Sequence, residues 1–103
     1  MELTDRKLQI VQLTEKRKYY MQQGKTLEEA KILRKLVELT EEVYGYESDE
    51  SIKMLNELGG VLKYISAFEE AEEALIKARN LIERRYGDDN ISYATCNLNL
   101  AEL

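Results

Sequence analysis

Few residues in this sequence could carry enzymatic chemistry. It contains no histidine and a single cysteine, Cys96. Histidine is the commonest general base and the commonest metal ligand, so its absence removes the usual catalytic triads and most metal sites. A nucleophilic cysteine needs a basic or cationic neighbour to form its thiolate, and Cys96 has neither a histidine nor a second cysteine to help it. We therefore expect no enzyme, and Cys96 to be a small packed residue of a helix.

Two segments look like ligand loops but lack the residues that such loops require. A calcium loop beginning at Asp88 would have Tyr93 at its sixth position and Asn99 at its twelfth, where glycine and glutamate are needed. The pair Gly59-Gly60 lies in a helical pattern and lacks the lysine and the serine or threonine that follow in a phosphate loop. The sequence predicts no metal and no cofactor.

Composition and charge limit the class of protein. The chain has 103 residues, of which 44% are hydrophobic and 34% charged, with no proline, which is typical of one folded helical domain. Its net charge of −5 gives no basic field for phosphates, so we expect neither nucleic acid nor a membrane surface as partner. The short basic run at 16–18 is interpreted as a solvated helix face. With one cysteine and no signal peptide or membrane span, a cytoplasmic protein is expected.

Apolar residues recur at helical spacing along the whole chain and predict five helices that must position any site. Several helices are expected to end at a glycine and to begin at a polar residue that caps the first turn. The predicted helices are Leu3 to Gln23, Thr26 to Tyr44 with a capping box of Thr26 and Glu29, Ser48 as cap to about Tyr64, near Phe68 to Tyr86, and a fifth capped by 88–90 and running to Leu103.

The sequence resembles itself at an interval of 42 residues. This shift superimposes Leu13 on Leu55, Leu33 on Leu75, and Tyr44-Gly45 on Tyr86-Gly87. The tripeptide 28–30 matches 69–71 with a shift of 41 instead, which suggests a slip of one residue between the turn and the second helix. A period of this length with two helices in each unit indicates a helical solenoid, in which neighbouring units cover one another's apolar faces.

Residues 52–82 resemble the tetratricopeptide repeat family. The bulky and small positions of that family are matched in order by Leu55, Leu58, Gly59, Leu62, Phe68, Ala71, Leu75 and Ala78. The longer period and the Tyr-Gly endings are similar to the kinesin-light-chain-type variant. The resemblance implies an all-α fold in which antiparallel helix pairs stack as a right-handed solenoid. A HEAT-like pair has a similar period but not this order of small residues.

The expected organisation is a single tetratricopeptide-like domain over 1–103. Residues 1–25 form a degenerate first helix or a cap, because Arg17 and Lys18 stand where the family has a small residue. Residues 26–51 supply the second helix of the first repeat and a loop. Residues 52–87 form the best-matching repeat, and residues 88–103 the first helix of an incomplete one.

The resemblance also implies a protein-binding scaffold with a concave groove for a peptide. The family's groove positions fall in this sequence on Lys53, Asn56, Glu57, Gly60, Lys63, Tyr64, Asn99 and Glu102. Such a groove uses amides for a peptide backbone, cations for its carboxylates and an aromatic ring for stacking. The same residue types are also ordinary on a solvated helix face. Leu98 beside Asn99 departs from the paired asparagines of the longer variant.

The fifth helix has apolar residues on two sides. One stripe contains Ile91, Ala94, Leu98 and Ala101, and the other contains Tyr93, Cys96, Leu100 and Leu103. A terminal helix of a solenoid should have a polar outer face. We therefore expect residues 90–103 either to continue into a longer repeat array or to pair two chains. The alternative to peptide binding is a self-assembling structural module without a peptide ligand.

Overall fold

Five α-helices make up most of the part of the chain that the structure describes. The computed structural model describes residues 3–103, and no strand occurs among them, so the prediction of an all-helical chain is confirmed. The helices are α1 (Leu3–Gln22), α2 (Thr26–Tyr44), α3 (Asp49–Tyr64), α4 (Phe68–Tyr86) and α5 (Ile91–Ala101). Residues 1 and 2, with which the predicted segment 1–25 begins, lie outside the described residues. Within residues 3–103 no helix has both the length and the apolar character needed to cross a membrane.

The chain divides into two compact units within α3. The first unit ends at Met54 and contains the antiparallel pair α1 and α2. Arg6 near the start of α1 is 2.9 Å from Glu42 near the end of α2, while Arg17 contacts Glu29 across the other end. Most of the buried residues of this unit come from α2, since α1 has none. The buried residues of α2 are Glu29, Ala30, Leu33, Leu36, Val37, Leu39 and Thr40.

The second unit spans Leu55–Leu103 and contains the rest of α3 with α4 and α5. Its core is apolar and draws on all three helices. The buried hydrophobic residues are Leu55, Leu58, Leu62, Ala71, Ala74, Leu75, Ala78, Leu81, Ile82 and Cys96. This unit therefore buries leucines from α3 at helical spacing, which the matching helix of the first unit does not do.

Helix boundaries recur every 42 residues. The first residues of α2 and α4 are 42 positions apart, and so are their last residues. The same interval separates the first residues of α3 and α5. Leu33 and Leu75 are both completely buried, as expected of matching positions. The predicted slip of one residue is wrong, because the two turns have the same length and Ala71 corresponds to Glu29. The Glu-Glu-Ala match at a shift of 41 is a coincidence of composition.

The turns after α1 and α3 share one hydrogen-bonding pattern. Each contains a residue with positive φ, which is +70° at Gly24 and +66° at Ser66. The next amide, that of Lys25 or Ala67, donates to the carbonyl five residues earlier over 2.9 Å in both turns. This is the Schellman end of a helix. Ser66 takes up a backbone conformation that a residue with a Cβ rarely adopts, where the first turn has glycine.

Two predicted helix caps are confirmed. The hydroxyl of Ser48 accepts a hydrogen bond from the amide of Ser51 over 3.1 Å at the start of α3. The side-chain oxygen of Asn90 accepts one from the amide of Ser92 over 2.8 Å at the start of α5. Both side chains satisfy an amide that has no partner within the first turn of the helix.

Two other predictions about helix ends are wrong. The capping box of Thr26 and Glu29 does not form, because Lys25 is the N-cap of α2 and no side chain caps its amides. The Glu29 carboxylate instead pairs with Arg17 of α1. The fifth helix ends at Ala101 and does not continue to Leu103.

Candidate functional site

Close packing of α3 on α4 fixes one side of the candidate site. A Cβ built on Gly59 would lie 2.5 Å from Cγ and 2.6 Å from Cδ2 of Leu75, a completely buried side chain. Real side chains do not approach this closely, so only glycine fits at this position of α3. The seven other residues that the resemblance placed at packing positions are buried with the exception of Phe68, which is half exposed. Phe68 instead borders an open depression beside Ser66, Glu69, Glu70 and Glu73.

A buried thiol joins α5 to α3. The Cys96 thiol donates to the side-chain oxygen of Asn56, with 3.3 Å between sulfur and oxygen. Cys96 is completely buried, and this burial raises the pKa of its thiol, while the positive charge of Arg79 acts in the opposite direction. Arg79 of α4 also contacts the side-chain oxygen of Asn97 over 3.5 Å. Cys96 therefore acts as a neutral packed group, in line with the expectation from the sequence.

A second polar contact joins the same two helices nearer their ends. The ammonium of Lys63 donates to the side-chain oxygen of Asn99 over 2.8 Å and forms an ion pair with Glu102. Asn56 and Lys63 thus contact successive parts of α5, which shows that α3 and α5 run in the same direction. These contacts bring together four of the residues that the resemblance assigned to a groove.

The Lys63 contact changes the charge that the site offers to a ligand. Its side chain is only 24% exposed, and the carboxylate of Glu102 already neutralises it. Lys63 is therefore already paired before any ligand binds. A carboxylate on a ligand would have to compete with Glu102 for the same ammonium.

Two groove positions of α3 remain open. Apart from its chain neighbours and the adjacent backbone of α3, no atom lies within 4 Å of the position where Gly60 would carry a Cβ, and Tyr64 is 78% exposed. Gly60 thus differs from its neighbour Gly59, because nothing in the fold requires a glycine there. Glu57 is half-buried. Lys53 is exposed and belongs to the first unit.

The link between Asn56 and Cys96 is one part of the site that the sequence did not predict. It joins residues 40 positions apart. The available signal was the 42-residue interval itself, which makes α5 the counterpart of α3 and predicts that the two helices are neighbours. The interval does not specify which side chains meet, because that depends on the rotation of each helix about its axis.

No group of three or more histidine, cysteine, aspartate or glutamate side chains within residues 3–103 is arranged to hold a metal ion. What the site offers is side-chain amides, a paired lysine, an exposed aromatic ring and free space above a helical glycine. Comparison of the chain with protein-family models, with curated proteins and with solved structures finds no significant match.

Proposed function

We propose that the chain is a protein-interaction module of the tetratricopeptide type, with helix pairs stacked as a right-handed solenoid, and that it binds a peptide without catalysing a reaction. The interval of 42 residues between matching helix ends supports the stacked arrangement. The family's residue pattern, described from the sequence, supports the type of repeat. The peptide would lie along α3 and α5 of the second unit.

The main observation behind this proposal is the arrangement of polar groups where α3 meets α5. Asn56, Lys63 and Asn99 lie at the boundary of two helices that run in the same direction. Amide groups donate to and accept from a peptide backbone, which suits an extended ligand. Gly60 leaves space for a ligand side chain, and Tyr64 supplies a rigid ring of the kind that contributes most to many interfaces.

Glu102 gives the proposed groove a built-in competitor. Its carboxylate pairs with the Lys63 ammonium in the absence of a ligand. A peptide carboxylate that replaces it therefore gains only the difference in free energy between two similar ion pairs. Binding should therefore depend mainly on the amides, the ring and the open space. We expect the variant Glu102→Gln to bind acidic peptides more tightly, because it leaves the Lys63 charge for the ligand.

The proposal can be tested with peptides selected from a random displayed library against the intact chain. The affinity of a selected, labelled peptide is then measured by fluorescence anisotropy for Gly60→Leu and Tyr64→Ala. The leucine fills the open space, so we expect at least a tenfold loss, roughly 1.4 kcal/mol. Removing the ring should cost about 1–2 kcal/mol of binding free energy.

Tyr46→Ala is the matched control, because Tyr46 is an exposed tyrosine of the first unit and is not part of the proposed groove. It should leave the affinity unchanged. Thermal unfolding of Gly60→Leu is the stability control, and we expect no large loss, since a Cβ at this position meets open space. Equal affinity of the wild type and Gly60→Leu, or a library that yields no binder, would contradict the proposal.

A further inference from the structure

Helix α5 carries an exposed apolar stripe on the side opposite its packed residues. Ile91 is 84% exposed and Leu98 is 60% exposed, and Ala94 and Ala101 between and after them are also exposed. We call these four residues the α5 stripe. They are spaced by three, four and three positions, so they lie on one face of the helix. Cys96 on the other face is buried, so the fold of the second unit does not use the stripe.

The stripe is also the least charged helical surface of the molecule. No residue from Ile91 to Ala101 is charged, although charged residues make up 34% of the chain and its net charge is −5. Two copies of an acidic protein repel each other wherever their charged faces meet. This repulsion is weakest at α5, which makes a second copy of the same chain a suitable occupant of the stripe.

The order of large and small residues matches what a two-fold contact requires. In such a contact the same surface appears on both sides, and residue pairs are exchanged between the copies. When two α5 helices lie antiparallel, Ile91 of one copy faces Ala101 of the other, and Leu98 faces Ala94. Each bulky side chain then meets an alanine, which leaves room for it. A parallel arrangement would place leucine against leucine and alanine against alanine.

We propose that the α5 stripe is the contact surface of an antiparallel, two-fold symmetric dimer of this chain. The four side chains form a patch of a few hundred Å² in each copy, which is smaller than the roughly 800 Å² that each partner buries in a stable complex. The dimer therefore dissociates on dilution within the micromolar to millimolar range. This proposal does not rest on the proposed peptide groove, because none of the four stripe residues is a groove residue.

The first test compares two leucines of similar exposure. Sedimentation equilibrium from about 10 µM to about 1 mM measures the dissociation constant of wild type, Leu98→Glu and Leu8→Glu. Leu8 is 55% exposed on α1, outside the stripe. We expect Leu98→Glu to raise the dissociation constant at least tenfold, since the charge enters the contact twice, and Leu8→Glu to leave it unchanged. A wild-type chain that remains monomeric, or equal weakening by both variants, would overturn the proposal.

The second test reads the register directly. Variants Ala94→Cys and Leu98→Cys are mixed under mild oxidation, and the crosslinked products are identified by mass spectrometry. The antiparallel register predicts that residue 94 of one copy links to residue 98 of the other more often than 94 links to 94. Cys96 is buried, so wild type should form no crosslink. Crosslinks mainly between identical positions would overturn the antiparallel dimer.

Discussion

Two helix hairpins of this molecule hold matching positions together by different means. In the hairpin of α1 and α2, Arg17 and Glu29 form an ion pair over 3.1 Å, with only 17% and 7% of their side chains exposed. In the hairpin of α3 and α4, the corresponding positions are Gly59 and Ala71. Both hairpins have turns and second helices of equal length. The comparison shows that two long, oppositely charged residues can replace two small residues in the same backbone plan.

The replacement changes what stabilises each hairpin. Gly59 lets Leu75 pack directly against the α3 backbone, so dispersion and apolar burial dominate there. The buried Glu29 carboxylate must instead be compensated by the Arg17 guanidinium, because an unpaired charge in the interior is costly. The first hairpin also has exposed polar contacts at its other end, between Arg6 and Glu42 and between Lys7 and the Tyr44 ring. Its stability should depend more on individual charged residues.

The largest expected effect comes from removing Arg17. Arg17→Ala leaves the Glu29 carboxylate buried without this cation, and we expect a loss of about 3 kcal/mol in the free energy of unfolding. The double variant Arg17→Ala/Glu29→Ala, which imitates the small pair of the second hairpin, should be more stable than the single one. Urea denaturation measures both. Arg6→Ala is the control and should cost under about 1 kcal/mol, since its ion pair is exposed. Equal losses for Arg17→Ala and Arg6→Ala would refute the distinction between the two pairs.

A smaller effect is expected when the second hairpin loses its small residue. Gly59→Ala forces Leu75 to move, which costs about 1–3 kcal/mol, and regains about 1 kcal/mol of helix propensity. The net result should be a loss of up to about 2 kcal/mol in thermal or urea unfolding. The adjacent Gly60→Ala meets no atom and should stabilise the protein by about 0.5–1 kcal/mol. The same sign for both variants would show that close packing at Gly59 is not what holds this hairpin.

Local signals in the sequence predicted the helices well. The glycines and polar caps at the helix ends act within a few residues, so Gly24, Ser48 and Asn90 could be interpreted from their neighbours alone. The capping box at Thr26 failed because a tertiary partner, Arg17, competes for the Glu29 carboxylate. The predicted slip at 28–30 is wrong because identical residue types at a shift of 41 do not show that two positions are equivalent. Buried positions show this, since they face the core in both units. Leu33 and Leu75, both completely buried, indicate the true alignment.

The candidate site was less predictable, for a physical reason. Its contacts join residues far apart in sequence, and their partners depend on helix rotation, which spacing alone does not give. The resemblance placed Lys63, Asn99 and Glu102 in one region, but not the ion pair that occupies the lysine. It also did not distinguish Gly59, which the packing requires, from Gly60, which the packing does not require. Peptide binding and the tetratricopeptide assignment remain predictions for the experiments described above.

The smallest expected effect is a dependence of stability on alkaline pH through the buried thiol of the second unit. The only cysteine is Cys96 in the second unit, and burial raises the pKa of its thiol above the ordinary 9.0. Above that value the unfolded chain loses the thiol proton while the folded chain keeps it. Stability should therefore be unaffected below pH 9 and fall above it, by at most about 1.4 kcal/mol per pH unit. Cys96→Ala removes this titration. Urea denaturation of wild type and variant from neutral to alkaline pH therefore separates the thiol contribution from those of the tyrosines and lysines.

If the variant loses stability with pH as steeply as wild type, the buried thiol is not responsible. Hydrogen exchange at alkaline pH then shows whether the loss of stability caused by the thiol is confined to residues 55–103. We expect this, because Cys96 packs in the apolar core of that unit and not in the ion-paired hairpin of α1 and α2.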